Sequence, residues 1–174
     1  MVRLRADGLT RQIGVSNFYE GHLDRLAAVS DVRPFANQAF IDATHHEDEL
    51  LRRLAADGIR PMAYRPLAFL PVVAMAAEMG DGTAAALEAQ AAACGAASSA
   101  QLVLAWLARR GIVAVTATRD PAHLKANLAA AALAPGAPDT LGGEAADGNE
   151  MVAMCGGHDE FAAAFKAAGA ALRG

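Results

Sequence analysis

Short apolar runs alternate with longer segments of helical periodicity along most of the chain. Strands are predicted at 12–15, 35–40, 61–64 and 112–115, because each is a brief run with apolar residues, flanked by turn or polar residues. Between them, apolar residues recur every three or four positions, as on one face of a helix. This order predicts an α/β fold of about four βα units with parallel strands and right-handed crossovers.

Glycines and capping residues mark where the predicted helices end and begin. Gly8, Gly58 and Gly111 each lie shortly before a strand, at a position suited to a left-handed helix cap. Asp120 followed by Pro121 predicts a helix start, and Ser98 or Ser99 predicts another. Three helices have predicted core faces, which carry Leu23, Leu26 and Val29, then Leu50, Leu51 and Leu54, then Leu102, Val103, Trp106 and Leu107.

The alternation stops after residue 133. Gly, Pro and Asp dominate 134–159, which predicts a long loop, and a short helix is predicted over 160–172 with Phe161 and Phe165 on one face. We therefore divide the chain into a partial (β/α) barrel over 1–133, units five to eight, and a loop-rich C-terminal tail over 134–174.

Composition narrows the class of protein. The chain has a formal net charge of −4 and a pI near 5.7, which argues against a partner nucleic acid or anionic membrane. No apolar run reaches the ~18 residues of a membrane span, and the start has no apolar leader. The two cysteines lack metal-ligand spacing and suit reduced thiols. We expect a cytoplasmic protein.

Polar motifs follow the predicted strands in order. They are Gly14-Val15-Ser16-Asn17-Phe18, Asn37-Gln38, Tyr64-Arg65-Pro66-Leu67 and the segment 118–127, and the helix 101–107 reads Gln-Leu-Val-Leu-Ala-Trp-Leu. Together they resemble the aldo-keto reductase family. The tail sequence 149–152 is faintly similar to that of small bacterial members such as 2,5-diketogluconate reductases. The resemblance implies a (β/α)8 barrel, whose usual ~250 residues exceed the 174 here. We therefore expect its C-terminal half.

The resemblance also implies a nicotinamide dinucleotide site at the strand ends. Ser16, Asn17 and Gln38 match the residues that hydrogen-bond the nicotinamide carboxamide, and Tyr64 matches the ring that stacks on the nicotinamide. Thr118 matches the Ser beside the 2′-phosphate, and Thr118, Arg119 and Asn127 remain candidate ligands there, with Arg119 as a partial substitute for lost charges. Taken singly, Ser16 and Asn17 could cap a helix, Gln38 could be a strand-end residue, and Tyr64 could be core.

Departures from the family pattern weaken some of these expectations. Ala117 and His123 stand where NADP-binding members carry Lys and Arg, and each lost contact is worth about 1.5–3 kcal/mol. We expect NADP or NAD as cofactor, with a weakened preference for NADP. Phe40 replaces a Glu, and Asp42-Ala43 replace a His-Pro, so the loop on the substrate side is altered.

The family's catalytic Asp, Tyr, Lys and His precede the Gly14–Phe18 motif, and this chain carries no replacement. Tyr19 follows the motif at a helix start, and Tyr64 is assigned to stacking. The first function class is therefore an NAD(P)H-dependent carbonyl reductase by resemblance, which acts on a small carbonyl substrate only when the missing half is supplied. The alternative is a non-catalytic nucleotide-binding or protein-interaction domain of the same fold, as in potassium-channel β-subunits.

A run of two histidines and three acidic residues lies at 45–49. The run His45-His46-Glu47-Asp48-Glu49 looks like a metal cluster, but adjacent histidines project differently, so a solvated helix start is the stronger interpretation and no metal site is predicted.

Half a barrel leaves two unpaired edges and an uncovered sheet face. A homodimer or a separate N-terminal half would cover them.

Overall fold

The computed structural model describes residues 1–133 of the 174-residue chain. The predicted tail over 134–174, with its helix, lies outside the described residues. The elements are α1 (Val2–Ala6), β1 (Val15–Ser16), α2 (Glu20–Val29), β2 (Ala36–Phe40), α3 (Asp48–Asp57), β3 (Arg60–Tyr64), α4 (Leu70–Glu78), α5 (Thr83–Ala93), α6 (Ser99–Arg109), β4 (Val113–Val115), α7 (Pro121–Ala129) and a 3-10 turn (Ala130–Leu133).

The strands form one parallel sheet in the order β1-β2-β3-β4. This confirms the predicted α/β fold and its parallel strands. β1 has two residues and begins later than the predicted run over 12–15. Within residues 1–133, β1 and β4 are the edge strands of the sheet.

Helices pack against one face of this sheet and form the core there. Ala39 and Ala63, on neighbouring strands, are fully buried on that face among leucines of α3 and α6. The predicted core faces of α3 and α6 are confirmed, because Leu50, Leu51, Leu54, Leu102, Val103, Trp106 and Leu107 are all buried.

The predicted face of α2 is wrong at one end. Leu23 is buried but Val29 is 82% exposed. Each step of three residues turns a helix through about 300°, so Val29 lies about 120° around the helix from Leu23. Residues that are spaced only every third position therefore turn progressively away from the buried face of the helix.

The other face of the sheet carries the alternate side chains of each strand and is called the open face here. Two rows cross it in register, Ser16, Gln38, Met62 and Val113, then Phe40, Tyr64 and Val115. Val113 and Val115 are 37% and 39% exposed. Within residues 1–133 this matches the uncovered face expected of part of a barrel.

A buried asparagine fixes the turn that joins β1 to α2. Asn37 is fully buried, and its Nδ2 donates to the Phe18 carbonyl at 2.6 Å while its Oδ1 accepts from the Phe18 N–H at 3.3 Å. Asn17 adopts a left-handed backbone with φ 55°. At Gly14 a Cβ would lie 2.9 Å from the Ala36 carbonyl oxygen, so the strands approach too closely for a side chain. These constraints hold the polar motif at the strand end.

The predicted local signals lie at five of the helix boundaries. Gly8, Gly58 and Gly111 have the predicted left-handed φ of 73°, 64° and 69°. Ser98 caps α6 by accepting from the Gln101 N–H, and Asp120 caps α7 by accepting from the Ala122 N–H.

Two observations bear on the environment of the protein. Cys94 takes part in a disulfide, so the expected reduced thiol is wrong at this position. No helix within residues 1–133 is long and apolar enough to cross a membrane.

Replacing Asn37 with Ala should lower the free energy of unfolding by about 1–3 kcal/mol, because it leaves the two backbone groups of Phe18 without their partner. Urea denaturation followed by the fluorescence of the buried Trp106 measures this loss. Thr10→Ala is the control, because its hydroxyl bond to Gln12 is exposed. Equal stability of the Asn37 variant and the wild type would contradict the role given to Asn37.

Candidate active site

Three predicted site residues meet where β1 ends beside the middle of β2. The Ser16 hydroxyl donates to the backbone carbonyl of Gln38 at 2.9 Å, and the Asn17 N–H donates to the same carbonyl at 2.8 Å. No hydrogen bond within residues 1–133 engages the side-chain amides of Asn17 and Gln38. Those amides are therefore free to pair with a planar polar group at this edge.

Tyr64 lies on the adjacent strand, at its carboxyl end. Its ring is half-buried and lies on the open face, with the ring of Phe40 centred 5.8 Å away at an angle of 39°. Arg65 then turns away with a left-handed backbone, φ 54°, and Pro66 is buried. The structure thus presents an aromatic ring in the strand next to Gln38, supported on one side by Phe40.

The remaining predicted residues follow β4 at the same edge of the sheet. Thr118 Oγ1 accepts from the Asp120 N–H at 3.1 Å, Arg119 is exposed, and Asn127 is half-buried on α7. Within residues 1–133, Arg119 forms no ion pair. No hydrogen bond or ring contact in that part of the chain joins these three residues to Ser16, Asn17, Gln38 or Tyr64. These three residues, which all come after β4 in the sequence, are called the second cluster here.

The positions that depart from the family pattern belong to this second cluster. His123 Nε2 lies 3.8 Å from Asp120 Oδ2 on the first turn of α7, and both side chains are exposed. Ala117 is also exposed. The positive charge available around Thr118 is therefore that of Arg119, while Asp120 brings a negative charge beside His123.

Sequence reasoning missed a group of side chains near Ser16, Asn17 and Gln38. The Tyr19 hydroxyl donates to Glu47 Oε1 at 3.1 Å, and His45 Nε2 lies 2.8 Å from the same oxygen. Asp48 and Glu49 do open α3, as predicted. The interpretation of 45–49 as only a solvated helix start is wrong for Glu47, however, since its side chain is 16% exposed. Tyr19 and Glu47 are 28 residues apart, so no local pattern indicates their contact.

The environment of Tyr19 raises the pKa of its phenol. Burial is the largest cause, followed by the hydrogen bond to Glu47 and the negative charge of that carboxylate. Tyr19 is therefore a poorer acid than an ordinary tyrosine and stays protonated near neutral pH. Among residues 1–133, no group of three or more His, Cys, Asp and Glu side chains is arranged to hold a metal ion.

Comparison with known proteins identifies the family. A model of the aldo/keto reductase family matches residues 1–136, and the chain therefore belongs to the aldo/keto reductase family. An aldo-keto reductase of Mycolicibacterium vanbaalenii is 31% identical over 133 residues, which cover 74% of this chain and 42% of that protein.

Solved structures agree with this assignment. A crystal structure of an aldo/keto reductase from Brucella melitensis has a TM-score of 0.61 and 27% identity, over 88% of this chain and 52% of the other. An aldo-keto reductase of Bombyx mori in complex with NADP has a TM-score of 0.59 and 26% identity, over 77% and 47%. The chain thus spans less than half of the first curated relative and about half of these solved chains.

The raised pKa of Tyr19 predicts an alkaline titration that can be measured directly, because the chain has only two tyrosines. In a Tyr64→Phe variant, the ultraviolet absorbance of tyrosinate should report Tyr19 alone, with a midpoint above 10. The protonated phenol is favoured by folding, so its contribution to stability is present below pH 10 and is lost as pH rises through the higher folded value.

Adding Glu47→Gln to that variant should bring the midpoint back toward that of free tyrosine, since the carboxylate's charge is removed. Glu49→Gln, an exposed neighbour in α3, is the matched control and should leave the midpoint unchanged. A midpoint at or below 10 in the Tyr64→Phe protein would refute the proposed environment of Tyr19.

Proposed function

We propose that the carboxyl edge of this sheet binds the nicotinamide end of NADP or NAD. The observation that carries the proposal is the meeting of Ser16, Asn17 and Gln38 beside the open ring of Tyr64. A carboxamide needs a donor and an acceptor in one plane, which the free amides of Asn17 and Gln38 offer. A flat aromatic ring such as Tyr64 suits stacking with the nicotinamide. When bound, the cofactor supplies a hydride for carbonyl reduction.

The second cluster is proposed to hold the phosphate side of the cofactor. Thr118 and Asn127 offer neutral polar groups, and Arg119 is an exposed cation able to meet a 2′-phosphate. Ala117 gives no charge there, and His123 lies beside Asp120. Fewer charge-assisted bonds to the 2′-phosphate imply a weak preference for NADP over NAD. The Bombyx mori relative bound to NADP supports a nicotinamide cofactor for this family.

Carbonyl reduction by this chain alone is not expected. Hydride transfer leaves a developing alkoxide that needs a proton donor. The chain's two tyrosines are Tyr19, whose raised pKa makes it a poor acid, and Tyr64, which is assigned to stacking. We propose that a small carbonyl substrate is reduced only when a partner adds the acid. A cytoplasmic location stays a prediction.

The second candidate function is a non-catalytic domain that binds a nucleotide or a protein. The exposed Val113 and Val115 of β4, at one edge of the open face, favour it. Covering that face, by a second copy or by another half of a barrel, would bury apolar surface without any chemistry. This candidate shares the cofactor site with the first and differs from it in the absence of turnover in any assembly.

Replacing Gln38 with Ala should weaken the binding of NADPH and NADH about three- to tenfold, because it removes one net hydrogen bond to the carboxamide. Isothermal titration calorimetry measures both dissociation constants. Gln12→Ala is the matched control, since Gln12 is exposed and away from the strand ends. Wild-type affinity in the Gln38 variant would count against the carboxamide site.

The purified chain should not oxidise NADPH in the presence of a simple aromatic aldehyde above the rate of a heat-denatured sample. The reason is the missing proton donor beside the predicted hydride path. The absorbance of NADPH follows the reaction. Turnover that persists after purification to homogeneity and disappears in Tyr64→Ala would show that the chain carries its own catalytic acid.

A further inference from the structure

An unbroken series of contacts links the start of α2 to the ring of Tyr64. Tyr19 donates to Glu47 Oε1, and His45 Nε2 lies 2.8 Å from that oxygen. The His45 ring stacks on Phe40 with centroids 5.4 Å apart and planes at 24°. Phe40 in turn contacts the ring of Tyr64 at 5.8 Å. Each contact restricts the orientation of the next side chain.

Glu47 occupies an unusual position in this series. It precedes α3 as the N-cap residue, yet its side chain makes no capping hydrogen bond to the helix. Its backbone is left-handed, with φ 51°, a conformation that a non-glycine residue adopts only when its surroundings favour it. The carboxylate therefore serves Tyr19 and His45 instead of the helix.

We propose that Glu47 is a positioning residue for the nicotinamide site, which fixes His45 against Phe40 and thereby orients the ring of Tyr64. The inference rests on the proposed function in one respect, since Tyr64 is the ring on which the nicotinamide is expected to stack. Glu47 itself need not touch the cofactor. It acts through two aromatic side chains.

The contact between His45 and Glu47 gives this role a measurable signature. Glu47 Oε1 is shared by the Tyr19 hydroxyl and His45 Nε2, so replacing Glu47 should loosen the His45 ring against Phe40. The His45 side chain is 43% exposed, which makes the expected effect modest.

Two other contacts hold His45 in place. The backbone of Asp42 pairs with that of His45, and Asp42 Oδ1 accepts from the Thr44 hydroxyl. The ring of Phe40 in β2 stacks on the His45 ring. Glu47 supplies the side-chain hydrogen bond to that ring.

The first test measures NAD⁺ binding by calorimetry. NAD⁺ lacks the 2′-phosphate, which keeps His123 out of the comparison. Glu47→Gln should bind about three- to tenfold more weakly than the wild type, because the hydrogen bond that holds His45 is weakened. The neighbouring Glu49→Gln should bind as the wild type does.

A second variant keeps the test decisive if Glu47→Gln fails to fold, which circular dichroism would show. His45→Ala removes the ring that stacks on Phe40 and should weaken NAD⁺ binding to a similar extent, whereas His45→Phe keeps a ring there and should bind about as well as the wild type. Wild-type affinity in His45→Ala, or in a folded Glu47→Gln protein, would overturn the proposal.

A readout without cofactor separates this inference from the proposed function. In the free protein, Glu47→Gln should shift the NMR resonances of the Tyr64 ring, whereas Glu49→Gln should leave them unchanged. Shifted Tyr64 resonances in a chain that does not bind NAD⁺ would support the positioning role and overturn the proposed function. NAD⁺ binding with unshifted Tyr64 resonances would overturn the positioning role and leave the cofactor site intact.

Discussion

The parallel register of the four strands is the constraint on which the rest of the structure depends. Because every strand runs the same way, all four carboxyl ends lie on one edge, and residues far apart in sequence meet there. Ser16 and Gln38 are paired in register, as are Phe40 and Tyr64. The bonds from Asn37 to Phe18 hold the first of these ends in place. The candidate site is a direct consequence of this pairing.

The same register leaves the open face without a second layer within residues 1–133. The curated and solved relatives are about twice as long as the matched part, or longer. The edge of the four parallel strands is the place where we propose that the nicotinamide binds. The raised pKa of Tyr19 makes this tyrosine a poor candidate for a proton donor beside that edge.

Much of the fold was predictable because its signals are local. Glycine at helix ends and leucines spaced around α3 and α6 lead directly to the observed elements. The helices α4 and α5 were not predicted, because their alanine-rich sequences show little contrast between a polar and an apolar face. Val29 was misplaced because spacing by threes drifts around a helix. The predicted carboxyl ends of β2, β3 and β4 were correct, whereas β1 begins and ends later than predicted.

The candidate site likewise has residues that the sequence identified and contacts that it did not. Ser16, Asn17, Gln38 and Tyr64 could be named from ordered motifs, and the structure brings the first three together beside the fourth. The contact of Tyr19 with Glu47 could not be named, since it joins residues 28 positions apart through a left-handed backbone at Glu47. Neither this contact nor the left-handed backbone at Glu47 produces a periodic pattern in the sequence. Tertiary contacts of this kind decide how the recognised residues are oriented.

The central claim is that a nicotinamide ring stacks on Tyr64. The most direct measurement is the nuclear Overhauser effect between the ring protons of Tyr64 and those of the nicotinamide in the complex with NADP⁺. The account predicts cross-peaks to the nicotinamide ring that are absent in Tyr64→Leu, with no cross-peaks from Tyr64 to the adenine. A bound cofactor without any Overhauser contact between its nicotinamide and Tyr64 would contradict the account.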